Sequence, residues 1–210
     1  MKTGEFSSYW KNLTPISFLS CAGLLVMSSS RLAHAIITAG SLLWVFCLSS
    51  IAISLSNKFL PKIARPVLFA FISSFFAGLY LFLLWIISPL FALEIFFIIT
   101  LSPMVFIAQG ANKHSKILKP AEALSSSLFE ALVPGILIII FALIREPLGF
   151  MSLSVPAGRH GIIFLFSADS EAVLQIHIIA SSGGALLLLG YFLGLYGYFN
   201  KSKKTKEGNK

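Results

Sequence analysis

The sequence predicts an all-α membrane protein in which six transmembrane helices form two inverted three-helix repeats. Three observations lead to this fold class. The chain has 210 residues, of which 57% are hydrophobic and only 11% are charged, whereas about a quarter of the residues in a soluble domain are charged. Its apolar runs reach the roughly 20 residues that a helix needs to cross the hydrocarbon core. Its basic residues also concentrate in alternate connections between these runs.

The apolar runs between clusters of charged residues define the predicted spans. A stretch such as Ile136–Ile144 is apolar at every position, whereas a strand of a membrane barrel alternates apolar and polar residues. Helical spans are therefore predicted, over residues 13–31, 34–56, 66–88, 90–110, 122–144 and 174–199. We expect a single membrane domain over residues 1–210, with one repeat over 13–88, the other over 90–199, and a basic tail over 200–210.

The basic residues predict the orientation. Six spans place both termini on one side of the membrane, and all but three of the sixteen Lys and Arg residues fall on that side. The three exceptions are Arg31, Arg145 and Arg159. Because cytoplasmic connections are enriched in Lys and Arg, both termini are predicted to be cytoplasmic. The net charge of +8 then reflects topology and attraction to the lipid bilayer, and nucleic acid is not an expected partner.

Two predicted spans contain residues that interrupt helices. The first carries Gly23 and serines at 28–30, and the fourth carries Pro103 near its middle. Proline lacks the backbone N–H and clashes with the carbonyl four residues earlier. Matching interruptions in two halves of a membrane protein indicate an inverted repeat with a site near the midplane. We therefore expect the first and fourth helices to be broken.

Few residues are candidates for catalysis, cofactor binding or ion coupling. Cys21 and Cys47 are too few for a disulfide framework, and a free cysteine in an apolar run is usually a packing residue. The sequence has no phosphate-binding loop, no Ser/His/Asp set and no zinc spacing, so the chain is not expected to be an enzyme by itself. Glu130, inside the fifth span, is a possible ion-coupling residue because an ionisable group in a membrane is costly; Glu94 is a weaker candidate.

The connection after the fifth span leaves two questions open. Arg145 and Glu146 at its start are interpreted as an interfacial anchor with a local ion pair, which contributes little stability when exposed. The rest, up to residue 175, is predicted to be either an ordered cap or a re-entrant loop. Ser154-Val155-Pro156 breaks helix there, and the apolar run at 162–166 is long enough to enter the interface but too short to span.

Several short motifs, spread over nearly the whole chain, carry a family resemblance. The most specific is Arg145-Glu146-Pro147-Leu148-Gly149-Phe150, followed by Ser152-Leu153. The others are Trp10-Lys11-Asn12, Leu19-Ser20-Cys21, Leu24-Leu25-Val26, Leu48-Ser49-Ser50-Ile51 and Ser182-Gly183-Gly184-Ala185. In order and spacing, the chain resembles the integral membrane subunits of the Rnf and Na+-translocating NADH:quinone reductase complexes. It is most similar to the RnfE (RsxE) and NqrD branch.

The resemblance implies a role in electron transfer. It implies a subunit of an ion-translocating (Na+ or H+) ferredoxin:NAD oxidoreductase in the bacterial inner membrane. In such complexes a two-iron two-sulfur cluster lies between this subunit and a paralogous six-span subunit of opposite orientation, of the RnfA/NqrE type. Cys21 matches the ligand from the first span, and Ser102 stands where the fourth-span cysteine is expected. Other implied partners are the subunits that carry flavin and iron–sulfur centres.

Two residues depart from the family's pattern: Ser102 replaces the expected cysteine, and Met151 replaces the second glycine of the loop motif. The departure at Ser102 leaves alternatives open for the cluster. Iron–sulfur clusters are held by thiolates, and a serine oxygen is a harder ligand. The chain would hold a cluster through one serine oxygen, hold it through another residue, or serve only as a structural subunit. Outside the family, the alternative is a small secondary transporter whose broken helices bind a polar solute at the midplane.

Overall fold

The structure is a computed structural model that describes residues 15–56, 65–109, 120–158, 161–167 and 177–207. The described chain is mostly helical, with one two-stranded hairpin. Its elements are α1 (Pro15–Ser28), α2 (Leu32–Ser56), α3 (Arg65–Ile87), α4 (Pro89–Thr100), α5 (Ser102–Gln109), α6 (Pro120–Phe150), β1 (Ser152–Pro156), β2 (Ile162–Ser167), α7 (His177–Ala180) and α8 (Ser182–Glu207). The Trp10-Lys11-Asn12 motif and Arg159 lie outside the described residues.

Four segments of the described chain are long and apolar enough to cross a membrane. They are α2, α3, the pair α4–α5 and α6. Two other apolar helices are shorter: α1 and the Ser182–Gly194 part of α8. At 1.5 Å per residue, the 14 residues of α1 cover about 21 Å, which is less than the roughly 30 Å of a hydrocarbon core. The chain thus has the helices of a membrane protein, with four candidate spans.

The predicted interruption of the fourth span lies at Leu101. Helix α4 ends at Thr100, and α5 begins at Ser102, so that Pro103 occupies the first turn of α5, where its missing N–H is tolerated. The first helix differs from the prediction. Helix α1 runs without interruption from Pro15 to Ser28 and ends where the serine run begins, so its described part is continuous.

The helix of the fifth predicted span is longer than that span. Helix α6 continues to Phe150, beyond the predicted end of the span at residue 144, and includes Pro134 and Pro147. Arg145 and Glu146 therefore lie inside a helix. The helix continues because both charged side chains find partners within the protein. The chain leaves α6 at Met151, whose φ of 49° is in the left-handed region that ends many helices.

A β-hairpin in the connection after α6 corrects the all-α prediction. Strand β1 pairs antiparallel with β2, and a bulge lies between Leu153 and Ser154. The turn contains Gly158 and Gly161 at positive φ, which glycine adopts without strain. Leu153 packs against the hydrophobic core, and the Ser154 hydroxyl accepts a hydrogen bond from the Ala33 N–H at 3.4 Å. The described residues 152–158 and 161–167 thus form a hairpin attached to α2.

Helices α2 and α6 form the centre of the core and run antiparallel. Near one end, the Leu32 N–H donates to Glu146. Near the other, Ser50 donates to Ser127 at 2.9 Å. Between them Gly135 faces Ala39 so closely that a Cβ added to the glycine would lie 3.4 Å from the alanine Cβ. This register places the end of α6, the start of α2 and the hairpin together at one end of the molecule.

Candidate functional site

Cys21 lies on α1 and makes its polar contact with α5. Its thiol is half-buried and accepts a hydrogen bond from the side-chain amide of Gln109. Gln109 is the last residue of α5, 88 positions away in the chain. No sequence signal pairs these residues, because the contact depends on α1 packing beside α5.

Ser102 lies at the start of α5 and is fully buried. Its oxygen is 2.9 Å from the Ser41 oxygen on α2. The Ser41 hydroxyl donates its single hydrogen to the Thr38 carbonyl at 2.8 Å, so Ser102 is the donor in the serine pair. Both hydroxyls are therefore satisfied inside the subunit. Ser41 is a partner that the sequence did not indicate.

These contacts test whether the residues fit a cluster shared with a second subunit. Cys21 contacts the end of α5 and Ser102 begins it, a separation of seven residues or about 10 Å along the helix. The half-buried Cys21 thiol fits a ligand role. The Ser102 hydroxyl does not fit, since it is buried within the chain and bonded to Ser41. Among the residues that the structure describes, no three or more His, Cys, Asp or Glu side chains form a metal-binding group.

Arg145 is the most highly coordinated side chain of the described molecule, and only 2% of its surface is exposed. Its Nε donates to the Ile179 carbonyl at 3.1 Å. One Nη donates to the Ala180 and Ser181 carbonyls at 2.9 and 3.0 Å. The other Nη donates to the Val26 carbonyl at 2.9 Å and the Ser29 hydroxyl at 2.8 Å. All five N–H groups are thus used, and they join the end of α1 to the break between α7 and α8.

Glu146 binds a different helix end. Its Oε2 accepts the Leu32 N–H at 2.6 Å, at the start of α2, and its Oε1 is buried without a hydrogen-bond partner among the described residues. The described side chains of Arg145 and Glu146 thus bind separate helix ends, and the local ion pair expected between them is not formed. The cation lies at the C-terminal ends of α1 and α7, and the anion lies at the N-terminus of α2. Each charge thereby opposes the partial charge of the helix end that it contacts.

The two candidate carboxylates lie in different surroundings. Glu130 is buried in α6, one turn after Ser127 and so on the side that faces α2. Glu94 is half-exposed, and its Oε2 lies 3.7 Å from Nε2 of His34 on α2. Glu130 is therefore inside the α2–α6 interface, whereas Glu94 lies at the edge of the bundle.

The fold and its buried charges define a class, that of the helical membrane proteins. Comparison with family models, curated proteins and solved structures found no match to this chain.

Proposed function

We propose that the chain is a membrane-embedded subunit of an ion-translocating complex of the Rnf type. The observation that carries the proposal is the burial of Arg145 and Glu146. These residues begin the motif with the most specific family resemblance, and they join the ends of α1, α2 and α7. A motif that holds several helix ends together has an architectural role in this chain, and this supports an architecture shared with the family that the motif resembles.

The proposal includes six spans arranged as two inverted triplets. The antiparallel packing of α2 and α6 supports it, because these are the middle helices of the two triplets and an inverted repeat brings such helices together in opposite directions. In this arrangement α1 and α7–α8 are the first and last spans. The hairpin, the α1–α2 turn and the end of α6 then share the outer side.

Within this proposal, the burial of Ser102 favours a structural subunit over one that shares a cluster through that residue. A two-iron two-sulfur cluster would supply a one-electron carrier between centres on the two membrane faces. Cys21 is the residue that would hold it, with Gln109 donating a hydrogen bond to the sulfur, a contact of the kind that tunes cluster potentials. Glu130 is proposed as the ion-coupling residue, since a buried carboxylate inside the membrane is costly without a role.

Purification of the tagged chain from its native membrane tests the proposal. We expect a paralogous six-span subunit and flavin-carrying subunits to copurify. Iron analysis and electron paramagnetic resonance of the reduced complex then compare Cys21→Ala with Cys47→Ala as the matched control. Loss of a two-iron signal only in Cys21→Ala supports the cluster, and no change in either supports the structural subunit. A chain that purifies without any redox partner contradicts the proposal.

Buried hydroxyls on α2 favour the transporter as the second candidate. Ser49 and Ser54 are buried, and their oxygens have no hydrogen-bond partner in the part of the chain that the structure describes. A polar solute between α2 and its neighbours would satisfy such groups. This function predicts that a solute raises the unfolding temperature of the isolated chain and that Ser49→Ala abolishes that increase. A redox complex subunit shows neither effect.

A further inference from the structure

Strand β2 exposes four consecutive large apolar side chains. Ile163 and Phe164 are each 50% exposed, Leu165 is 66% exposed and Phe166 is 63% exposed. Ile163 and Phe164 are regularly paired neighbours in β2 and point to opposite faces, so each face carries a large, half-exposed apolar side chain. Ile162, at the start of β2, packs against the hydrophobic core, and β1 packs against α2 and α6. Beyond Ile162, the described residues cover the outer strand only in part.

The contact with Arg31 indicates the depth of β2 in the membrane. The Arg31 guanidinium lies over the Phe164 ring, 5.6 Å from its centre. Arg31 immediately precedes α2, one of the candidate spans, and a charged residue at the end of a span lies at the membrane–water boundary. Strand β2 is consequently at the height of the lipid head groups, in a zone that aromatic side chains prefer.

The shape of the exposed surface indicates what covers it. A folded partner that docks on a hairpin covers one face, whereas lipid surrounds both. The exposed apolar residues at the end of α6, Leu148 and Phe150, extend the same kind of surface beside the hairpin. The bulge at Leu153/Ser154 also makes the strands irregular, which opposes edge pairing with another sheet.

We propose that β2 is a membrane-interface anchor, embedded between the head groups and acyl chains of the leaflet at the α1–α2 turn. Its apolar side chains contact acyl chains, and Arg31 faces the lipid phosphates. Water at this depth satisfies the free backbone groups along the outer edge of β2, which the hydrocarbon centre would not allow. The inference depends only on the chain spanning a membrane and is independent of the Rnf-type role.

Spin-label accessibility in nanodiscs of phosphatidylethanolamine and phosphatidylglycerol tests this anchor. In a Cys21→Ser, Cys47→Ser background, single labels are placed by Ile163→Cys and Phe164→Cys, the regularly paired neighbours on one side of the bulge, with Leu165→Cys and Phe166→Cys if either fails to fold. Phe71→Cys, exposed on α3, is the lipid-facing reference, and free label in buffer is the aqueous one. We expect a several-fold higher ratio of oxygen to nickel-chelate collisions than for the free label at adjacent positions of β2.

Two results would overturn the anchor. A water-like ratio at either of two adjacent positions means that one face of β2 is in solvent. Low accessibility to both reagents at both positions means that protein covers the strand, either a second copy of the chain or another subunit. Neither result would bear on the Rnf-type proposal, since that proposal is tested by copurification.

Discussion

Arg145 shows how a single residue joins distant parts of this chain. Its five donors bind backbone or hydroxyl oxygens from the end of α1 and from the break between α7 and α8. A buried acceptor that loses its donor costs about 1–3 kcal/mol, because it stays desolvated without a partner. The carbonyls of two helix ends depend on this guanidinium.

We therefore expect Arg145→Met to lower the free energy of unfolding by about 3 kcal/mol or more, because several buried carbonyls lose their donors at about 1–3 kcal/mol each. The measurement is detergent-induced unfolding of the chain in mixed micelles. Arg31→Met is the matched control, because Arg31 is only partly buried, and its ring contact is worth about 0.5–1 kcal/mol. Equal losses in the two variants would contradict the role assigned to Arg145.

Ser102 permits a second test at this scale. Because its hydroxyl donates to Ser41, Ser102→Ala should cost about 0.5–1.5 kcal/mol of unfolding free energy. A double-mutant cycle with Ser41→Ala isolates the pair from the other contacts of Ser41. Ser125→Ala, an exposed serine of α6, is the control. Zero coupling between Ser41 and Ser102 would mean that Ser102 is free to act elsewhere, including as a ligand.

At the scale of elements, the sharp turn between α7 and α8 depends on glycine. A Cβ at Gly184 would overlap the Ile178 carbonyl, whereas a Cβ at Gly190, on the same helix, would meet nothing within 4 Å. We expect Gly184→Ala to lower the unfolding free energy by about 1–3 kcal/mol, as overpacking does, and Gly190→Ala to leave it unchanged. Unfolding in micelles measures both, and similar values would contradict the described turn.

The register between α2 and α6 is testable by cross-linking. Ser50 and Ser127 lie within hydrogen-bonding distance, so a Ser50→Cys, Ser127→Cys pair, in a background without Cys21 and Cys47, should oxidise to an intramolecular disulfide. The control pairs Ser54→Cys with Ser127→Cys, one turn out of register. Cross-linking that is stronger in the control than in the matched pair would show that the helices pack differently.

At the scale of the whole molecule, the number of spans decides where the termini lie. Six spans place both termini on the basic, cytoplasmic side. If only α2, α3, α4–α5 and α6 crossed the membrane, the start of α1 and the tail would lie on the outer side with the hairpin. We expect a fluorescent protein fused after Lys210 to fluoresce, and alkaline phosphatase fused after Gly158 to be active. Absence of fluorescence from the protein fused at the C-terminus would support four spans.

Much of the helical architecture was predictable because lipid imposes local rules. A span must be apolar along its length, so α2 and α3 begin and end within a few residues of their predicted bounds. The interruption at Leu101 follows from Pro103, a local steric effect. The hairpin was not predicted as such, since its strands have only five and six residues.

The sequence by itself determined that this chain belongs in a membrane, where its helices form and which residues invite comparison with the Rnf-type subunits. Only the tertiary structure decided the surroundings of its chemical groups. It paired Cys21 with Gln109 and Ser102 with Ser41, and it buried Arg145 and Glu146 at separate helix ends. The physical reason is distance along the chain. The preference of lipid for apolar side chains acts on each residue separately and can be read from the sequence. The hydrogen-bond partner of a buried polar group is a residue distant in the chain, and only the packing of the helices brings the two together.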